Sequence, residues 1–239
     1  MKTQSLDYSD GQTTLHGILA FDPDKRGRRP GVIVFHEAPG LSDHPKRRIA
    51  MLAGMGYVAL AADMFGDGKV LMGPPAMERL QDVQKTPGLV SRRIKAAFDT
   101  LRARPDVDAA RMAAIGFCFG GSCALELARS GAEIAGVVSF HGVLATQTPE
   151  EAKNIRAKVL VMTGAEDPLV PPQQVVAFED EMRKGGVKDW QVVVFGGACH
   201  AFMNSDVPAG MPGFAYNASA DARGWRAMQN FFGEIFGAA

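Results

Sequence analysis

Three side chains in this sequence have the types and chain order of a nucleophile, an acid and a base. The nucleophile candidate is Cys118, within Gly116-Phe117-Cys118-Phe119-Gly120-Gly121. This hexapeptide follows the apolar run Met112-Ala113-Ala114-Ile115 and opens a helical stretch over 122–129. A strand–turn–helix context with glycines on both sides lifts a reactive side chain out of a sharp turn, here with sulfur where serine oxygen is commoner. A side chain at Gly116 or Gly120 would crowd that turn, and the N–H of Phe119, at the start of the helix, would face a developing oxyanion. Most free cysteines are inert core thiols, and the bracketing glycines argue against that reading for Cys118. The acid candidate, Asp167, lies 49 residues further on in Gly164-Ala165-Glu166-Asp167-Pro168, the loop after an apolar run over 159–163. Glu166 is the adjacent alternative, and a turn or helix-cap carboxylate is the plain structural alternative. His200 comes 33 residues later, in Gly196-Gly197-Ala198-Cys199-His200-Ala201-Phe202. An imidazole can take a thiol proton and return it to a leaving oxygen near neutrality, and a carboxylate fixes its tautomer. The chemistry these groups imply is acyl transfer through a thioester to the enzyme.

Such groups must be positioned by a rigid frame. Apolar runs at 14–21, 32–36, 58–62, 112–117, 136–140, 159–163 and 191–195 are mostly continuous, as in strands buried on both faces. Between them, apolar residues recur at helical spacing: Val90, Ile94, Ala97, Phe98 and Leu101; Val175, Phe178 and Met182; Trp225, Met228, Phe232 and Ile235. Ile49, Leu52 and Ala53 suggest another short helix. Alternating strands and helices predict an α/β fold, with a mostly parallel central sheet and helices on both faces. Reactive groups gather at the carboxyl ends of such strands, where all three candidates fall. The stretches 66–88 and 204–215, rich in glycine and proline, read as irregular loops, either over the site or as plain surface connections.

Bulk composition narrows the class. With 239 residues, 46% hydrophobic and 22% charged, the chain can bury a sizeable core, and one domain over 1–239 is expected. The 26 basic and 26 acidic residues balance, so no nucleic-acid or membrane partner is expected through bulk charge. The first residues, MKTQSLDYSDGQ, lack the apolar core of a secretory signal. Three cysteines cannot all pair, which points to reduced thiols and a cytoplasmic location. Cys123 and Cys199 read as core or structural, and His141 could line the site but reads as structural. The histidines lack zinc-ligand spacing, so neither metal nor cofactor is expected. A monomer or homodimer acting on a small molecule fits these features. The alternative from another class is a small-molecule-binding or redox-sensing protein that uses Cys118 as an exposed thiol.

The segments Pro30-Gly31-Val32-Ile33-Val34-Phe35-His36-Glu37 and Gly56-Tyr57-Val58-Ala59-Leu60-Ala61-Ala62-Asp63-Met64-Phe65 extend the pattern. With the Cys118 elbow, His200-Ala201-Phe202 and a closing amphipathic helix, the chain resembles the dienelactone hydrolase family over nearly its whole length. That resemblance implies the α/β-hydrolase fold, hydrolysis of a carboxylic ester or lactone, and a Cys118–His200–Asp167 triad. It further implies that Glu37 takes the thiol proton when substrate binds, against a plain alternative in which it hydrogen-bonds loop amides. It also implies that the N–H groups of Ala38 and Phe119 form the oxyanion hole. The family carries an arginine shortly after the histidine, for a substrate carboxylate. Here Met203-Asn204 stand there, and Arg79 is the nearest match to a second family arginine. A less charged, more apolar substrate held by Phe119, Phe202 and Met203 is therefore expected.

Overall fold

The computed structural model describes residues 1–237, which fall into two compact units, Met1–Ala114 and Ile115–Ala239, with one strand running across the boundary. In the first unit the chain forms β1 (Lys2–Ser9), β2 (Thr14–Phe21), β3 (Arg29–Phe35), α1 (Asp43–Gly54), β4 (Val58–Ala62), α2 (Pro74–Lys85) and α3 (Leu89–Arg102). β5 (Val107–Phe117) leads into the second unit. There α4 (Phe119–Arg129), β6 (Gly136–Phe140), a short 3-10 helix (Pro149–Asn154), β7 (Lys158–Gly164), α5 (Pro172–Gly185), β8 (Trp190–Phe195) and α6 (Ala218–Phe236) follow.

Strand order in the first unit is β1-β2-β4-β3. β3 and β4 are parallel, with Val32 opposite Ala59 and Phe35 opposite Ala62, whereas β1–β2 and β2–β4 are antiparallel. In the second unit the order is β5-β6-β7-β8, and β6, β7 and β8 run parallel. The expected α/β architecture is present. Every residue of β4 and β6 is buried, which is why their sequences read as unbroken apolar runs. β8 alternates exposed and half-buried positions, as an edge strand does, with Val194 largely exposed.

Two elements escape the sequence pattern. β1 carries only Leu6 and Tyr8 among polar residues, too few to mark a strand. Tertiary contacts anchor it instead: Tyr8 Oη accepts the Asp63 N–H at 3.0 Å, while Asp10 Oδ1 accepts the N–H groups of Gln12 and Thr13 and closes the β1–β2 turn. The second is α2, which lies inside the stretch 66–88 expected to be irregular, so that expectation is corrected. Pro74 and Pro75 begin the helix, where their missing N–H groups cost nothing, and Ala76, Leu80 and Val83 bury one face. The glycines and prolines at the two ends of the stretch concealed a helix of 12 residues. Residues 204–215 are irregular, as expected. No helix among the described residues is long and apolar enough to cross a membrane.

Candidate active site

Cys118 stands between β5 and α4, as the residue that caps the helix. Its backbone holds φ 55° and ψ −120°, a left-handed conformation unusual for a residue with a side chain. The turn is closed by N–H groups of Gly121 and Ser122 donating to the Cys118 carbonyl, at 2.9 and 3.4 Å. A Cβ at Gly116 would overlap the Gly120 carbonyl, and one at Gly121 would come within 2.6 Å of Ser139 Oγ. The glycines are thus imposed by the close approach of β5, α4 and β6. Phe119 opens α4, the helix end towards which backbone N–H groups point. Cys118 is partly exposed, whereas Cys123, inside α4, is buried and its thiol pKa is pushed well up by burial.

The acid and the base arrive on two loops that hold each other. Ala165 N–H donates to the Phe195 carbonyl and Glu166 N–H to the Ala198 carbonyl, both at 2.9 Å. Gly164 packs so tightly that a side chain there would overlap Ala198. On this frame His200 Nδ1 meets Asp167 Oδ2 at 2.8 Å, with both side chains wholly buried. The other carboxylate oxygen accepts the Leu169 N–H at 2.8 Å. Glu166, the alternative acid, is exposed. The stretch 204–215 supports His200 from behind. His200 N–H donates to the Gly213 carbonyl at 3.0 Å, Ala215 N–H donates to the His200 carbonyl at 3.1 Å, and the Phe214 ring lies 4.8 Å from the imidazole.

Burial by itself would strip the proton from His200, because an imidazolium is poorly solvated there. The hydrogen bond that His200 donates to Asp167, with the hydrogen bonding and charge of the Cys118 sulfur, outweighs that penalty and raises the pKa from 6.5 to about 10. No atom meets hydrogen-bond geometry at His200 Nε2 among the described residues, yet Cys118 acts on the ring's titration. The Cys118 sulfur acts on the ring as a loosely aligned hydrogen-bond partner and as a charge, so the two findings are compatible. A carboxylate on Nδ1 leaves Nε2 as the site that exchanges a proton.

Glu37 lies in the first unit, after β3, and is buried. Its Oε2 is 3.2 Å from His44 Nδ1, and His44 Nε2 accepts from Arg48 Nε at 3.0 Å. A guanidinium can only donate, so the proton of His44 sits on Nδ1 and points at Glu37. Just before it, His36 Nδ1 donates to the Glu37 carbonyl at 2.7 Å and His36 Nε2 accepts the Met64 N–H at 3.1 Å. Burial depresses the His36 pKa, so this ring is a neutral brace for the loop that carries Glu37 and Ala38. Nothing in the residues around His44 beyond its place at the start of α1 and its i,i+4 spacing to Arg48 marks this pairing.

The model of the dienelactone hydrolase family matches residues 16–236. The chain belongs to the dienelactone hydrolase family. The class of reaction that goes with this membership is hydrolysis of carboxylic esters and lactones. The solved structure of a dienelactone hydrolase-like promiscuous phosphotriesterase from metagenomic libraries superposes with a TM-score of 0.93, at 45% identity, over 98% of each chain. A Bradyrhizobium protein described as a probable 2-oxo-3-(5-oxofuran-2-ylidene)propanoate lactonase is 28% identical over 84% of this chain and 85% of its own. An Aquifex aeolicus protein, provisionally named a carboxymethylenebutenolidase, is 29% identical over 96% and 97%.

Within this dienelactone hydrolase-family frame, Arg79 is already engaged. Its guanidinium pairs with Asp67 at 2.6 Å and lies over the Phe65 ring at 5.1 Å. Phe119, Phe202 and Met203 are all buried. Phe202 packs edge-on against His141 and Phe195, and Met203 reaches the face of α6 at Gly224.

Proposed function

We propose that this enzyme hydrolyses carboxylic esters or lactones through a Cys118–His200–Asp167 triad and a thioacyl intermediate. The observation that carries the reading is the buried Asp167–His200 pair, fixed through Nδ1, beside a strained and partly exposed elbow at Cys118 in the same unit. The sulfur attacks the carbonyl carbon, and the C–S bond forms as the carbonyl electrons move to oxygen. The oxyanion is held by the N–H groups of Phe119 and, by family resemblance, Ala38. Collapse breaks the C–O bond, and His200 Nε2–H protonates the departing alkoxide. His200 then takes a proton from water, hydroxide adds to the thioester, and collapse releases the acid and expels the Cys118 thiolate, which regains its proton from Glu37. By the same resemblance Glu37 receives the thiol proton as substrate binds. The three thiols are unpaired, which fits a reducing compartment such as the cytoplasm.

Stopped-flow mixing with p-nitrophenyl acetate tests this. A burst approaching one equivalent of p-nitrophenolate is expected, with an acyl adduct on Cys118 detected by mass spectrometry. Cys118→Ala should abolish both. A burst that survives Cys118→Ala removes the thiol from the mechanism. Cys118→Ser should lose most activity, because a hydroxyl is far harder to deprotonate than a thiol. Glu37→Gln should slow acylation by about 10- to 100-fold. A serine variant as fast as the parent would remove the proton-accepting role of Glu37.

The substrate class rests on the absence of an arginine after His200 and the engagement of Arg79 by Asp67, while Phe202 and Met203, expected to hold substrate, pack into the core instead. We expect a neutral short-chain ester or lactone to be preferred over 4-carboxymethylene-butenolide, and competing initial rates would decide. The 45% identity to a promiscuous phosphotriesterase favours a second, slower activity, attack by the same sulfur at phosphorus with loss of an aryloxide. Release of p-nitrophenolate from a dialkyl p-nitrophenyl phosphate, lost in Cys118→Ala, would support it.

A further inference from the structure

One imidazole bridges the nucleophile and the base without belonging to the triad. His141 follows β6 directly and is wholly buried. Its Nδ1 accepts the backbone N–H of Cys118 at 3.1 Å, a hydrogen bond shared with the Phe140 carbonyl at 3.0 Å. Its ring meets the His200 ring at 5.2 Å between centroids, at 66°, and the Phe202 ring at 5.2 Å, at 79°. The backbone N–H of His141 donates to the Met162 carbonyl at 2.8 Å, which ties the backbone that carries the ring to β7. Gly142 wedges the turn beneath α4, where a Cβ would come within 2.8 Å of Gly121 Cα and 2.5 Å of Ser139 Oγ.

The backbone adds an independent sign. Among the described residues the non-glycine positions with positive φ are Cys118 at 55°, His141 at 41° and Ala201 at 59°. These are the nucleophile, this ring, and the residue after the base. Each such conformation is strained for a residue with a side chain and persists only where the surroundings over-determine it. The strain is gathered around one imidazole.

We infer that His141 is a positioning residue for acyl transfer, a single ring that sets the Cys118 backbone and the His200 imidazole against each other. This rests on the triad reading above. A phenyl ring here would keep the wall against His200 but remove one of the two acceptors of the Cys118 N–H, leaving the Phe140 carbonyl alone to hold it. An asparagine would offer an acceptor and tolerate positive φ, but remove the wall. Misplacement of about 1 Å between reacting groups can cost about 100-fold.

The test compares the parent with His141→Phe, His141→Asn and Cys118→Ala, with thermal unfolding recorded for each. The readouts are single-turnover acylation by p-nitrophenyl acetate, steady-state kcat and KM, and iodoacetamide alkylation of Cys118 near neutral pH. In His141→Phe, acylation should slow by about 30-fold with KM within about twofold, and alkylation should slow by about tenfold. His141→Asn should recover part of the acylation rate, because an acceptor returns. A merely structural ring would behave differently, since loosening the elbow exposes the thiol and accelerates alkylation. Parent rates of acylation and alkylation in His141→Phe would overturn the inference. So would equal losses in both variants accompanied by faster alkylation. Should His141→Phe fail to fold, His141→Asn decides: a deficit in kcat at unchanged KM supports the inference, and parent kinetics overturn it. Loss of the burst in Cys118→Ala keeps the triad reading intact whichever way the His141 result falls. Its survival would overturn the triad reading, and the inference with it.

Discussion

His200 and His44 begin from the same arrangement, a buried imidazole with Nδ1 against a buried carboxylate. The distances are 2.8 Å to Asp167 and 3.2 Å to Glu37. Their second nitrogens set them apart. His200 Nε2 meets no atom in hydrogen-bond geometry among the described residues, and its titration feels the Cys118 thiol. His44 Nε2 accepts from the Arg48 guanidinium at 3.0 Å, and a ring held that way has its lone pair engaged and its N–H on Glu37, with neither left for a thiol proton or a departing alkoxide. A carboxylate on one side of an imidazole therefore does not make a base. The group on the other side decides whether the ring moves protons or orients its carboxylate. His36 shows the limit, with both nitrogens used by backbone groups and the proton disfavoured by burial.

The largest expected effect separates the two imidazoles outright. His200→Gln should lower kcat/KM for p-nitrophenyl acetate by at least about 1,000-fold while moving the unfolding midpoint little. A loss under tenfold would erase the distinction from His44. Asp167→Asn comes next, at about 100-fold or more in kcat, because the tautomer of His200 is no longer fixed. In that variant burial prevails and the His200 pKa should fall from about 10, followed by NMR of the imidazole protons. The sign for stability follows from a raised folded pKa. The pair's contribution is full below the ordinary histidine value of 6.5 and is lost as pH rises through about 10. Urea unfolding of parent and Asp167→Asn at pH values bracketing that window should show the difference shrinking towards the alkaline end. A difference that grows with pH would contradict the raised pKa.

His44→Asn should give the smallest kinetic effect and invert the pattern. Removing a buried partner of Glu37 should cost about 2 kcal/mol of stability with kcat/KM held within about tenfold. A collapse of activity at unchanged stability would place His44 among the proton-moving groups and break the comparison.

Both histidines stand on a frame that was unevenly legible in sequence. The strands that lead to Cys118 and Asp167 are continuous apolar runs because they are buried on both faces, whereas β8, which leads to His200, is a half-exposed edge strand; three of the expected spans, 14–21, 58–62 and 136–140, coincide with β2, β4 and β6. β1 was illegible because its stability comes from Asp63 and Asp10 rather than from its own pattern. α2 was hidden because the proline pair that starts it also reads as a loop signal.

Residue order alone determined the α/β class, the sharp elbow at Cys118 and the loops that hold Asp167 and His200. Glycine spacing and apolar runs are local consequences of steric crowding and burial, and each can be read within a few residues. Tertiary structure decided which of His200 and His44 keeps a nitrogen outside strict hydrogen-bond geometry, what holds Glu37 and why the ring of His141 lies against both the Cys118 backbone and His200. Those outcomes depend on the partner of a second ring nitrogen, contributed from other elements of the fold. His200 and Asp167 are separated by 33 residues and Cys118 and His141 by 23, distances over which no local pattern constrains a hydrogen bond.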